Sequence, residues 1–363
     1  GSSLSSNQLR ESINPKDEIK TVVSQSALVE FHEWIDKILY FQERDNKDTS
    51  NNLWKRQFHV GTNQNRAGLF SRNQLNIGDA YLRLPYEVIM DVQKALKSSK
   101  IGTHLKLFEN VYKRDESTEL LLFLISEKSL GKKSKWFPYL NTLPGNQDFF
   151  NLPMYYSDNK ILKYLGKHLV HQDIIHLKES IEIGWSQLDK NFLSKFPETF
   201  PKSIFNKTSF IWAYHIWQTR CIYIHTHHNN KKKKEEEEVL SEDNMIIGDL
   251  KNIKNINKSE SNFGGNIEKE KIVVEVQDGY WAFVPFIDMT NCKYLISQKG
   301  SQTNYDMETN SVYMTTTTIL NKNDEIYENY GWSNHQYFST HGFILDHINL
   351  STTNVHNINH NVN

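Results

Sequence analysis

Apolar residues recur at helical spacing between Ala27 and Phe41 (Leu28, Phe31, Trp34, Ile35, Ile38, Leu39), predicting an amphipathic helix with one buried stripe. Phe58–Val60, Leu69–Phe70 and Tyr81–Leu84 read as short strands separated by Gly and Asn turns, and Pro85 closes the set. Leu105–Ser126 is helical by pattern. Residues 146–219 add helical windows, among them Ile161–Leu169 and Phe210–Trp217, with little strand signal. Strand patterning resumes at Ile272–Val276, Tyr280–Pro285 and Ser311–Leu320. The pattern therefore predicts an α+β chain in which strand-rich sequence flanks a helical middle.

Polar breaks set the expected boundaries. Residues 1–26 read as a disordered arm or tag, its Gly-Ser-Ser start resembling a cloning remnant. Residues 27–145 hold the first helix and strands, 146–219 a helical insertion, and 220–345 the returning strands. Within that last part, 225–270 is too polar to bury a core and is expected to be disordered. Its Lys231–Lys234 block is cancelled by the adjoining Glu235–Glu238, so it reads as a solvated run rather than a nucleic-acid tail. Residues 346–363, rich in Asn and His, are expected to fray.

Charge adds a constraint. Lys and Arg total 42 against 43 Asp and Glu, a net of −1, so no global field draws the chain to nucleic acid or an anionic membrane. The apolar run Leu120–Ile125 is far shorter than the ~20 residues of a membrane helix. With no signal-peptide pattern, a cytoplasmic or nuclear location is expected. Two cysteines, Cys221 and Cys292, exclude a four-cysteine zinc site, and no structural metal is expected. His225, His227 and His228 have a spacing that could grip a metal, but they border the polar insertion.

Three segments carry candidate chemistry. In Asn65-Arg66-Ala67-Gly68-Leu69-Phe70 a glycine between short strands permits positive φ or close approach of a ligand. In Val284-Pro285-Phe286-Ile287-Asp288-Met289-Thr290-Asn291-Cys292 an apolar strand stops at Pro and delivers Asp, Asn and Cys, which could equally close a turn. In Glu325-Ile326-Tyr327-Glu328-Asn329-Tyr330-Gly331 a strand ends where a phenol can project into a cleft.

The order of these segments resembles the SET-domain methyltransferases of the Rubisco large-subunit methyltransferase type, which include the actin-histidine branch. Gly68-Leu69 is similar to the family's Gly-x-Gly-Leu loop. Ser134 to Leu140, with Leu143-Pro144, is similar to Ser-x-Trp-x-Pro-Tyr-x-x-x-Leu-Pro. Trp212-Ala213, ending in Thr219-Arg220, resembles its Trp-Ala…Ser/Thr-Arg helix. Val284-Pro285 to Asn291 resembles Ile-Pro-x-x-Asp-Met-x-Asn-His, and Glu325 to Gly331, then Ser333-Asn334 and Gly342-Phe343, resembles the closing blocks. The likeness spans about residues 54–345.

The resemblance implies a strand-rich SET fold with a pseudoknot-like site and an inserted helical subdomain. It implies S-adenosylmethionine as cofactor and a protein lysine as substrate. A histidine target of the actin type and a non-catalytic SET-fold binding module are the alternatives. By the same resemblance Tyr330 orients the nucleophile. Ala67, Gly68, Leu69, Arg220, Asp288, Asn291, Cys292 and Phe343 serve the cofactor, Arg220 by holding its carboxylate and Asp288 by bracing the turn. Ile222, Ile287 and Trp332 would line the substrate mouth, the apolar pair favouring lysine over histidine. Three departures stand out: Arg66 replaces the first Gly, Cys292 replaces a His, and Tyr330 to Asn334 is one residue short.

Overall fold

A computed structural model describes residues 23–45, 56–63, 66–111, 116–166, 169–226, 279–293 and 303–345. Most of the expected arm and polar insertion, the tail, the strand at Ile272–Val276 and the His227–His228 pair lie outside these residues; at the edges the expectation of disorder fails, since Gln25 and Ser26 already belong to the first helix and His225 and Thr226 to a strand.

Helix α1 (Gln25–Asp45) opens the described chain, with the Ser24 hydroxyl accepting from the Ala27 amide at 3.2 Å. Its buried stripe is Leu28, Phe31, Ile35 and Leu39, the face its spacing predicts. Strands β1 (Phe58–Asn63), β2 (Arg66–Ser71), β3 (Ala80–Pro85) and β4 (Met90–Asp91) follow. From there to Cys221 the described residues contain no strand. Helices α2 (Val92–Leu96), α3 (Gly102–Val111), α4 (Glu116–Ser129), α5 (Phe137–Leu140), α6 (Asp158–Leu165), α7 (Leu169–Asn191) and α8 (Lys207–Arg220) fill that stretch. The chain returns as β5 (Cys221–Thr226), β6 (Gly279–Phe283), β7 (Asn291–Cys292), β8 (Thr303–Asp306), β9 (Ser311–Thr315) and β10 (Glu325–Glu328).

The strand expected over Ser311–Leu320 stops at Thr315, and Leu320 only bridges Leu75. Four consecutive threonines have strand propensity but no partner strand there. Strands β5 and β8 were not legible, since Cys-Ile-Tyr-Ile-His-Thr continues a helix without a turn residue and Thr-Asn-Tyr-Asp is polar.

Two sheets form. The larger runs β3-β9-β8-β5-β6-β4 and the smaller β1-β2-β10-β7. In the smaller one β10, from near the end of the described chain, inserts between β2 and β7, antiparallel to the first and parallel to the second. Neighbours distant in sequence thus meet on one short strand, and all three motifs converge there.

Helices α4 and α8 pack against the sheets. Leu120–Ile125 is buried at every position, so that apolar run is a helix enclosed on all sides. Helix α8 is capped by Asn206, whose side chain accepts from the Ser209 amide at 3.0 Å, and anchored by Trp212 Nε1 donating to the Pro144 carbonyl at 2.8 Å. It runs without a loop into β5, which fixes where Arg220 stands.

Candidate active site

The site begins at Gly68 in β2. A Cβ there would lie 2.7 Å from Glu325 Oε1 and 2.8 Å from Asn291 Nδ2. Gly68 is not among the glycines with positive φ, so its value lies in letting two side chains cross the strand. Asn291 Nδ2 donates to the Ala67 carbonyl at 2.9 Å and to Glu325 Oε1 at 2.8 Å, tying β7, β2 and β10 together. The other carboxylate oxygen of Glu325 accepts from the Tyr327 hydroxyl at 2.5 Å. Leu69 is wholly buried in the core, so only its main chain can meet a ligand.

Beside this cradle lies a group of rings. Tyr330 sits 6.2 Å from Tyr337 and 5.7 Å from His341, centroid to centroid. Trp332 and Phe343 both lie nearly parallel to the Tyr337 ring, at 6.4 and 5.2 Å. The Tyr337 hydroxyl accepts from the Trp332 amide at 3.1 Å and the Cys292 thiol at 3.4 Å. The Tyr330 hydroxyl donates to the Thr290 carbonyl at 2.6 Å. With its proton held there, its oxygen lone pairs remain for a donor. Burial first, then the neighbouring Cys292 and Glu328, push this phenol far above its usual range, so it stays protonated. Burial likewise lowers His341 to about 4, keeping the imidazole neutral.

Beneath these residues is a buried ion pair. Arg220 Nη1 donates to Asp288 Oδ2 at 3.0 Å and to its carbonyl at 3.2 Å, and the Tyr139 hydroxyl donates to Oδ2 at 2.9 Å. The Asp288 side chain is fully buried. Burial works against the guanidinium's charge, but the Asp288 carboxylate outweighs it and holds Arg220 firmly protonated. Asp288 thus ties Arg220 and Tyr139 to the turn that carries it. Arg220, expected at the cofactor carboxylate, has its observed bonds to Asp288, both from a single nitrogen of a five-donor fork.

Ile287 is 1 % exposed within the core and, in this conformation, has no surface to offer a substrate. Ile222 is half-buried against the same core. The turn before Ile287 is strained: Phe286 has φ 70° and is fully buried. Its ring stacks 4.1 Å from Phe31 and meets Phe58 edge-on at 5.1 Å, contacts that hold the conformation.

Sequence reasoning did not single out Tyr337, His341, Thr290 or Glu328 for function. For the first three no local signal exists. For Glu328 one does: strand alternation puts it on the buried face with Ile326. Among the described residues no group of three His, Cys, Asp or Glu could hold a metal. No described helix is long and apolar enough to cross a membrane.

The architecture and the convergence of these strands are those of the SET fold, in the form carried by Rubisco large-subunit methyltransferase. A crystal structure of the SET domain of LSMT bound to lysine and AdoHcy aligns over 88 % of this chain and 58 % of its own, with TM-score 0.60 and 15 % identity. Rubisco LSMT bound to AdoMet aligns over 88 % of this chain and 57 % of its own, with TM-score 0.58 and 16 % identity. In sequence the chain is 23 % identical over 289 residues to SET domain-containing protein 4 of Homo sapiens, covering 77 % of this chain and 52 % of that protein. It is 26 % identical over 153 residues to the ribosomal lysine N-methyltransferase set10 of Schizosaccharomyces pombe, covering 42 % of this chain and 25 % of that protein. The chain thus spans about half the length of the human relative and a quarter of the yeast one. No family model matches it.

Proposed function

We propose that this chain is an S-adenosylmethionine-dependent methyltransferase acting on a lysine of a non-histone protein. The observation that carries the reading is the protonated, backbone-anchored Tyr330 set in an aromatic wall beside the Gly68–Asn291–Glu325 cradle. The yeast relative is named for ribosomal lysine methylation, and the aligned LSMT structure holds lysine with AdoHcy.

The residues suit such a cofactor. The Glu325 carboxylate offers an acceptor for an ammonium, the rest of the Arg220 fork offers donors for a carboxylate, and the half-buried rings of Trp332 and Phe343 suit a cation or an adenine. Bound S-adenosylmethionine would supply an electrophilic methyl on a sulfonium. The work left to the protein is alignment and exclusion of water. Tyr330 offers its oxygen to the target nitrogen and fixes its direction. Asn291 and Gly68 set the cradle's depth, and Asp288 keeps Arg220 in place. The low-polarity wall favours the neutral amine over the ammonium, whose unperturbed pKa of ~10.4 would otherwise leave it without a lone pair. The near-zero net charge supplies no global field that would draw the chain to nucleic acid or an anionic membrane.

Calorimetric titration with S-adenosylmethionine, followed by tritiated-methyl transfer to a cell extract, tests this. Binding with label on lysine in mass spectra is expected. Label on histidine would redirect the target, and absence of binding would leave a SET-fold binding module. Tyr330→Phe should keep cofactor affinity within about twofold and slow transfer by about 10²-fold; unchanged turnover would remove Tyr330 from its role.

A further inference from the structure

Two buried side-chain oxygens near Tyr330, Asp288 Oδ1 and Glu328 Oε1, have no hydrogen-bond partner among the described residues. Buried polar atoms are nearly always satisfied, so orphans gathered at one place point to a group absent from the resting protein. Asp288 is already paired through its other oxygen. Glu328 is different: it is 5 % exposed, and among the described residues no ion pair neutralises it.

The groups facing it are few. Tyr81 approaches from β3, its hydroxyl donating to the Met314 sulfur at 3.3 Å. Cys292 is its register partner on β7, and Tyr330 follows two residues on. Both tyrosines lie close enough for the Glu328 charge to raise them. Lys293, the adjacent cation, directs its ammonium at the Tyr327 ring, 5.2 Å away. Glu328 also borders a cavity of about 560 Å³ walled by Tyr81, Thr316, Thr318 and Lys293.

We propose that Glu328 is the proton acceptor of the site, taking a proton from the target ammonium at Oε1 and releasing it through the adjoining cavity. This rests on the lysine-methyltransferase reading. The step balances by itself: one N–H bond breaks, one O–H bond forms, and an ammonium and a carboxylate become an amine and a carboxylic acid. Burial raises this carboxyl to about 8, so the resting group is largely protonated at neutral pH and must first lose that proton through the cavity before its carboxylate can accept one. An arriving cation favours its ionised form, and a base tuned near working pH is the most efficient kind.

Glu328→Gln tests the proposal, with Glu328→Asp as the conservative partner and the same extract as methyl acceptor. Cofactor affinity should be unchanged, while transfer at pH 8 should fall at least about tenfold. The gap should close toward pH 10, where solvent alone deprotonates lysine. The aspartate variant should keep part of the rate and its inflection near pH 8. In the cofactor-free protein, Glu328→Gln should melt higher than the parent at pH 8 and no higher at pH 4, because it removes a carboxyl that the fold keeps protonated against solvent. A merely structural glutamate would give a less stable variant with an unmoved pH profile, overturning the proposal. Failure of the parent protein to transfer methyl at all would instead overturn the methyltransferase reading, and the proton acceptor with it.

Discussion

At the scale of single residues, the chemistry rests on side chains whose partners are far away in the chain. Arg220 and Asp288 are 68 residues apart, and Tyr139 and Asp288 are 149 apart. A buried pair adds little net stability against an apolar replacement, but breaking one strands a charge. Arg220→Ala should therefore cost about 3–5 kcal/mol at pH 7, read by urea denaturation. The deficit should shrink as pH falls, because the stranded Asp288 carboxyl is then protonated in both folded and unfolded states. A deficit independent of pH would mean that Asp288 finds another partner. Gly68 was legible as important, but its reason was not: the crowding comes from Glu325 and Asn291, 257 and 223 positions further along, and no local rule brings them there.

At the scale of elements, the turn from β6 to β7 is the most constrained piece of the site. Val284-Pro285 stops the strand, and Phe286 then takes a positive φ that a side chain disfavours by about 1–2 kcal/mol. The ring's burial against Phe31 and Phe58 outweighs that strain. Phe286→Ala should lose about 3–5 kcal/mol and keep the strain, whereas Phe286→Gly loses the ring but relieves it. Glycine should accordingly be the milder replacement by about 1 kcal/mol in thermal melts; the reverse order would show that the turn rearranges when the ring is removed. Amphipathic α1 was fully legible, because a helix with one buried stripe writes its period into the sequence. The direct junction of α8 with β5 was not, since nothing between Arg220 and Cys221 breaks a helix and only pairing with β6 and β8 pulls the chain into strand.

At the scale of the whole molecule, buried titratable groups set how stability answers to pH. His215, fully buried against Phe149 and Tyr155, and His341 are both lowered by burial to about 4, from 6.5. The unfolded chain binds these protons first, so stability is present above pH 6.5 and falls as pH drops toward 4, by about 1.4 kcal/mol per unit for each group. Glu328 acts oppositely, raised from 4.5 to about 8, so its contribution declines as pH rises through that window. These three groups place maximal stability near pH 6.5. His215→Phe should flatten the acid side of a melting-temperature profile; an unchanged slope would show that His215 is protonated within the fold.

The sequence by itself determined the α+β class, the helical middle, the buried stripe of α1 and the order of the three motif segments. Periodicity and turn chemistry act over a few residues and survive in a linear string. Tertiary structure alone decided that β10 inserts between β2 and β7, that Arg220 spends its observed bonds on Asp288, and that Tyr337 and His341 join Tyr330 in one wall. Only tertiary structure, too, left Glu328 buried with no ion-pair partner among the described residues. Each of these depends on which distant groups are brought within hydrogen-bond reach and which are shut away from water, and that is a property of packing rather than of any local stretch of chain.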